Sequence, residues 1–272
     1  GVCTFNGISN AATGTVSITG NTIQACSSYG TGASIYRGIN NTGVTTGTLT
    51  ISTNNIASGT NSGTGGLIAI TNSAAVPTTN IFKNKIYDLQ INNAAGILSG
   101  ILLSAGTTVN TYNNLIGDLR SPLSALADAI RGISITSTTT LTTYNVYYNT
   151  VYLNASSSAA AFGTTGVYHT ASATATTATL NLMNNLIVNL STPVGGAGRT
   201  IVFRRSSALL ANLANYGAAS NNNSFYAGTP DETRYIMNTY YKLLATYKTR
   251  VDPRDAASVT VNPDFVSVAG TD

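Results

Sequence analysis

Apolar residues return along this chain in short alternating bursts rather than in helical stripes. Val16/Ile18, Leu49/Ile51, Tyr144/Val146 and Leu180/Leu182 each enclose one polar residue, and Ser17, Thr50, Asn80, Asn110, Asn145 and Asn181 hold that polar position in successive segments. A period of two buries one face of a strand and wets the other, so each burst predicts a half-buried β-strand. Thr79 and Thr111 stand where the pattern asks for an apolar residue and mark the middle segments as less regular. Each burst leads into an asparagine with an apolar residue two places beyond it: Asn21/Ile23, Asn54/Ile56, Asn84/Ile86, Asn114/Ile116, Asn149/Val151, Asn185/Ile187 and Asn223/Phe225. The steps between these asparagines are 33, 30, 30, 35, 36 and 38 residues.

A second marker shares the period. Gly7-Ile8, Gly38-Ile39, Gly66-Leu67, Gly100-Ile101, Gly132-Ile133, Gly166-Val167 and Thr200-Ile201 precede the asparagines as anchors of a further strand. Each repeat thus holds a strand at the anchor, a turn rich in Thr, Ser and Gly, a strand entering the asparagine and a strand leaving it. Three short strands in about thirty residues, repeated from end to end without helical periodicity, describe stacked coils that bury a common interior. The expected fold is all-β: a right-handed parallel β-helix, or solenoid, of about seven coils. In such a stack the asparagine suits a bend with left-handed or bridge backbone, and its amide can bond to those above and below as a structural ladder.

The coils reach to about residue 227. Residues 228–257 form an excursion in which Tyr240, Leu243, Leu244, Tyr247 and Val251 have the spacing of a short amphipathic helix. Residues 258–272 return to strand-like alternation at Val259-Thr-Val261 and Phe265-Val-Ser-Val268. No polar cap is legible after them, so this end of the stack is expected to meet a further domain or a partner. Residues 1–272 read as one domain, a segment of a longer protein.

Composition narrows the function. Charged residues make up 8% of the chain, against roughly a quarter in ordinary soluble proteins. The 13 basic and 9 acidic residues are scattered singly apart from Arg204-Arg205, which leaves no basic stripe for nucleic acid. There is no apolar run long enough to span a membrane. Cys3 and Cys26 both fall in the first repeat. Their reading is a disulfide if the chain is extracellular, or two buried thiols.

The closing stretch carries a resemblance. Tyr226-Ala-Gly-Thr-Pro230, Leu244-Ala-Thr-Tyr247, Pro253-Arg-Asp-Ala-Ala-Ser258 and Asn262-Pro-Asp-Phe265 occur in that order. Together with the coils they resemble the right-handed parallel β-helix repeats of large secreted bacterial surface proteins, particularly those exported by the type IX pathway of the Bacteroidetes. The resemblance implies export and a secreted or cell-surface place, and it implies no catalytic residues.

β-Helices also host polysaccharide lyases and glycoside hydrolases, whose chemistry needs clustered acids or a base beside a cation. Asp88 and Asp118 occupy equivalent places in successive coils. Stacked carboxylates about one strand spacing apart, near 5 Å, suit a retaining glycosidase, a shared calcium ion, or two homologous turns in which Asp bonds nearby backbone. The third reading is preferred, and no cofactor is assigned. His169, the single histidine, falls two residues after Val167 and so packs inward on the strand. Arg37, Arg131 and Arg199 each precede an anchor; solvated surface arginines are the preferred reading, and a sparse outward row able to grip anionic sugars is the other. The Thr-rich runs 138–143 and 174–179 do not recur at one place in every coil, which argues against an array for ordered water. The 15 Tyr offer sugar-stacking rings. The sequence therefore predicts a non-catalytic extracellular scaffold, adhesin-like, that binds surface glycan or neighbouring proteins along its face. The alternative is a carbohydrate-active enzyme using Asp88 and Asp118.

Overall fold

The computed structural model describes residues 1–207, 209–228, 235–237 and 240–265. Three strands per repeat stack into three parallel sheets. The first sheet collects the anchor strands Thr4–Asn10, Ile35–Asn41, Leu67–Asn72, Leu98–Leu103, Ile130–Ile135, Thr164–His169 and Thr200–Arg205. The second holds Val16–Thr19, Thr48–Ser52, Thr78–Phe82, Thr108–Tyr112, Thr143–Tyr147 and Thr179–Met183, the strands that enter each asparagine. The third runs from Thr22–Gln24 through Asn55–Asn61 and Lys85–Ile91 to Ser224–Tyr226. Six strands in the second sheet against seven stacked in the first make about six complete turns. The fold is the parallel β-solenoid that the repeat predicts.

Its core is a set of one-residue columns. Ile8, Ile39, Ile70, Ile101, Ile133, Val167 and Phe203 lie over one another in the first sheet. From Ile39 onward they are buried, at a gain of about 1.5–3 kcal/mol each over leaving them exposed. This register corrects two expected anchors. The third is Ala69-Ile70 and the seventh is Val202-Phe203, because Ile70 and Phe203 occupy the column. Gly66 is a turn glycine with φ +94°. At the true anchor the demand is for space: a Cβ on Gly132 would fall 2.5 Å from Val151 and 2.6 Å from the Gly166 carbonyl.

Thr79 and Thr111 do not mark irregular coils. Both are fully buried in inward columns, Thr79 between Leu49 and Val109 and Thr111 between Ile81 and Val146, and neither hydroxyl has a hydrogen-bond partner among the described residues. A buried hydroxyl without a partner costs about 1–3 kcal/mol. Replacing Thr79 or Thr111 by valine, nearly the same shape, is therefore expected to raise unfolding free energy by about 1 kcal/mol each in urea denaturation.

The left-handed backbone at the bend lies one residue earlier than expected. Gly20, Thr53, Lys83, Asn113, Tyr148, Asn184 and Asn222, each just before a ladder asparagine, have φ between 53° and 71°. The asparagines themselves do not. Their conservation of type along the repeat comes from hydrogen bonding.

Near the C-terminus the helix spans Leu244–Val251 and buries Tyr247 and Val251. The expected stripe is shorter than drawn: Tyr240 lies in a two-residue strand antiparallel to Tyr235–Met237, and Leu243 is 51% exposed. Of the final strands, Val259 makes a single parallel bridge to Ser224 and residues 260–265 form none. Residues 266–272 lie outside the described residues.

Candidate functional site

The seven asparagines form one column of hydrogen bonds. In the first six, Asn21 to Asn185, the backbone N–H and Nδ2 both donate to Oδ1 of the asparagine in the next coil. For Asn84 these distances to Asn114 are 3.1 and 2.9 Å, and for Asn114 to Asn149 again 3.1 and 2.9 Å. The same Nδ2 also donates to a carbonyl of the preceding coil, as Asn114 does to Ile81 at 2.9 Å. Asn54, Asn84, Asn114, Asn149, Asn185 and Asn223 are buried, whereas Asn21 at the first bend is partly exposed. From Asn54 to Asn223 every side-chain amide has both its oxygen and its nitrogen engaged within the protein, and the column is structural. A second inner ladder escaped the sequence reading: Asn10 Nδ2 donates to Asn41 at 2.6 Å and Asn41 Nδ2 to Asn72 at 2.7 Å. The signal was an Ile-x-Asn spacing at the first three anchors of the true register.

The stack is capped after all. Asn223 Nδ2 donates to Asp255 Oδ1 at 3.0 Å, and its backbone N–H donates to Ser258 Oγ at 3.0 Å. Asp255, fully buried, also accepts from Tyr216 at 2.5 Å, Tyr247 at 2.8 Å and Ser258 Oγ at 2.7 Å. The tail residues Asp255 and Ser258 thus take the place an eighth asparagine would hold. Burial beside the Asp255 carboxylate pushes the Tyr216 and Tyr247 hydroxyls well above their ordinary pKa.

Beside this cap sits His169, inward and fully buried as expected. Its Nε2 bonds the Ala178 carbonyl at 2.8 Å, and Nδ1 faces Arg205 Nη1 at 2.5 Å. Donation at Nε2 and acceptance at Nδ1 require the neutral imidazole. Arg205 is fully buried as well, held by the Asn212 carbonyl and by Asn215 Oδ1 and packed against the Tyr216 ring. Burial lowers its pKa to about 10. Burial and then the Arg205 charge hold His169 well below its ordinary value. A folded pKa below the unfolded one near 6.5 means that the unfolded chain takes up the proton first. The contribution of His169 is then complete above that pH and is lost as pH falls beneath it. Urea titrations at pH 7.5 and 5.5 should show an acid loss in the wild type that His169→Gln, whose amide can reproduce both contacts, reduces.

Asp88 and Asp118 meet at one cation. Arg120 Nη2 pairs with Asp88, and Arg120 Nε lies 3.5 Å from Asp118 Oδ1. Ser58 Oγ donates to Asp88 Oδ2 at 2.7 Å. Burial raises the Asp118 pKa, with Arg120 opposing it. Both aspartates have left-handed backbone, φ 52° and 46°, in line with Ser58 and Ala25 of the earlier coils. Aspartate tolerates that conformation better than most residues, which explains its recurrence. Arg120 supplies the positive charge a shared calcium ion would have supplied. Among the described residues no group of three or more His, Cys, Asp or Glu is placed to hold a metal.

The three arginines do not form a row. Arg37 and Arg131 share a column with Ile68 and Ser99 between them, but Ile201 occupies that column in the seventh coil. Arg199, displaced by the corrected anchor, donates to the Gly198 carbonyl and lies over Tyr240. Arg131 is tied to Asp128, which the sequence did not single out. Asp128 Oδ2 accepts from Arg131 Nε at 2.9 Å and pairs with Arg204 at 3.1 Å, while Oδ1 takes the Thr165 hydroxyl at 2.5 Å. The Arg131 guanidinium lies 3.9 Å from the Tyr168 ring centroid. Among the described residues the Arg37 side chain has no hydrogen bond or ion pair.

The expected disulfide is not formed. Cys3 and Cys26 are free thiols, Cys3 Sγ lying 3.3 Å from Ser28 Oγ and Cys26 Sγ donating to the Gln24 carbonyl at 3.2 Å.

The outer face of the second sheet is more regular than its sequence suggested. Thr48, Thr78, Thr108, Thr143 and Thr179 do form one column, against the expectation that threonine keeps no fixed place. Next to it Asn80, Asn110, Asn145 and Asn181 make an outer ladder with bonds of 2.8–2.9 Å. Beyond these Phe82, Tyr112 and Tyr147 stack face to face, with centroids 4.8 and 5.0 Å apart. Because the rings cover one another, they present edges and not the open faces on which sugars stack.

Among the described residues no helix is long and apolar enough to cross a membrane. No protein-family model, no curated protein and no solved structure matches the chain.

Proposed function

We propose that this chain is a non-catalytic scaffold segment of a secreted or cell-surface protein, adhesin-like, holding glycan or neighbouring proteins along the solenoid face. The observation that carries this reading is the commitment of the four carboxylates that the coils and their cap hold. Asp88 and Asp118 share Arg120, Asp128 holds Arg131 and Arg204, and Asp255 is sealed in the cap. Acid–base cleavage of a polysaccharide needs a carboxyl open to substrate. The near absence of charge and the polar Thr, Ser and Asn surface suit a rigid rod outside the cell. Export by the type IX pathway of the Bacteroidetes belongs to the proposal and rests on the residues of the closing stretch alone.

The competing reading is a lyase or glycoside hydrolase that uses Asp88 and Asp118, favoured by their meeting at one arginine. Incubating the protein with plant, algal and microbial polysaccharides and assaying reducing ends and unsaturated products separates the two. The scaffold reading expects no turnover. Turnover abolished by Asp118→Asn would overturn it.

A further inference from the structure

Arg37 projects from the outer face of the first sheet into a depression of about 280 Å³ lined by Asn40, Thr42, Ile68, Thr71, Ser73, Leu102 and Ser104. That volume is near the lower end for small-molecule sites, enough for a sugar unit or two. The guanidinium has five donors and no hydrogen-bond or ion-pair partner among the described residues, and burial lowers its pKa. A half-buried cation without a counterion attracts an anion more strongly than a solvated one does.

The surroundings specify which kind of anion. Thr42, Ser73 and Ser104 stand in three successive coils, and each hydroxyl donates to a carbonyl of the coil before it, at 3.2, 3.2 and 3.4 Å. Their hydrogens are thus in use, and their oxygens remain free to accept from a ligand's hydroxyl groups. Asn40 and Thr71 lie side by side in register, and their side chains make no hydrogen bond to another described residue. Ile68, next after Arg37 in its column, and Leu102, next after Thr71 in the neighbouring one, supply apolar surface. One cation, rows of acceptors at the spacing of the coils, roughly 4.8 Å, and an apolar floor together match a sugar acid: a planar anion, several hydroxyls and a C–H face.

We infer that this depression binds an acidic saccharide, with a uronate carboxylate on the Arg37 guanidinium and sugar hydroxyls on the Thr42, Ser73 and Ser104 rows. The carboxylate fits the guanidinium fork in two parallel hydrogen bonds. The inference rests on the proposed scaffold role and names the class of glycan held.

The test is titration calorimetry with linear oligouronates of galacturonate, mannuronate and guluronate. Neutral cello-oligosaccharides and sulfated oligosaccharides of matched length serve as comparisons. At least one uronate series is expected to bind and to shift the NMR signals of Asn40 and Thr71. Arg37→Gln should weaken it by about tenfold or more, the scale of one charge-assisted contact. Arg199→Gln, outside the depression, should leave binding unchanged. Absence of binding by every uronate, equal binding of the neutral series, or an Arg37→Gln variant that binds as tightly as wild type would overturn the inference. Preference for the sulfated series would overturn the carboxylate assignment. None of these results bears on turnover, so cleavage of a polymer would defeat the scaffold reading separately.

Discussion

Leucine in place of Asn114 is expected to lower the unfolding free energy by about 3–5 kcal/mol, while leucine in place of Asn110, four residues away, costs less than about 1 kcal/mol. The two asparagines belong to parallel ladders and differ in which side of the coil they face. Asn114 is buried and engages both neighbours: it accepts from the Asn84 backbone and side chain and donates to Asn149 and the Ile81 carbonyl. Leucine there strands the Asn84 backbone N–H and one hydrogen of its Nδ2 and takes a donor from the Ile81 carbonyl, at about 1–3 kcal/mol for each group left unpaired. The apolar side chain recovers part of that loss by burial. Asn110 is half-buried on the outer face and bonds only the side chains of Asn80 and Asn145. There, water can replace what the leucine removes. Urea denaturation of the two variants side by side measures the contrast, and equal effects would mean that the inner column carries no special weight.

Asp255→Asn is the second large effect expected, a loss of about 2–4 kcal/mol from a change of one atom. The four donors that converge on Asp255 come from Asn223, Ser258, Tyr216 and Tyr247. An amide presents a donor of its own to one pair of them, so contacts must break or hydroxyls must turn, with a cost of about 1–3 kcal/mol for each group left unpaired. No cavity forms, so the effect isolates hydrogen bonding from packing. The loss is expected to fall on the last coil, with faster hydrogen exchange at Asn223 than at Asn84. A variant of wild-type stability would show that the cap is not what closes the ladder.

The repeat was legible because each coil solves the same problem with the same residue. A buried bend that must satisfy a backbone N–H, its own amide and the preceding carbonyl leaves asparagine as the natural choice, and the apolar residue two places on marks the strand that leaves it. The anchors were less secure. Glycine serves two purposes here, relieving contact at Gly132 and turning the chain at Gly66, and composition alone does not separate them. Where Val202 replaces the glycine, the register slipped by two residues and carried Arg199 with it.

The site residues were hidden for a different reason. Asp128 reaches the first sheet from a loop, and its partners Arg131, Thr165 and Arg204 come from three successive coils. Pairings across coils depend on register, which a linear reading fixes only roughly. Asp255 lies in a run, Pro253-Arg-Asp-Ala-Ala-Ser258, that reads locally as a polar turn. Nothing in it announces that one carboxylate will be sealed beneath Tyr216 and Tyr247. Arg205 misleads in the same way, since an arginine in a strand is ordinarily a surface residue, and here it stands in the inward column of Leu103, Ile135 and His169.

Residue-resolved amide hydrogen exchange under native conditions examines the stacked column most directly. The backbone N–H groups of Asn54, Asn84, Asn114, Asn149 and Asn185, each donated to the side chain one coil away, should exchange only through global unfolding and share one protection free energy. Exchange of these five at the rates of exposed turns, or with protection unrelated from one to the next, would contradict a continuous asparagine column holding the coils in register.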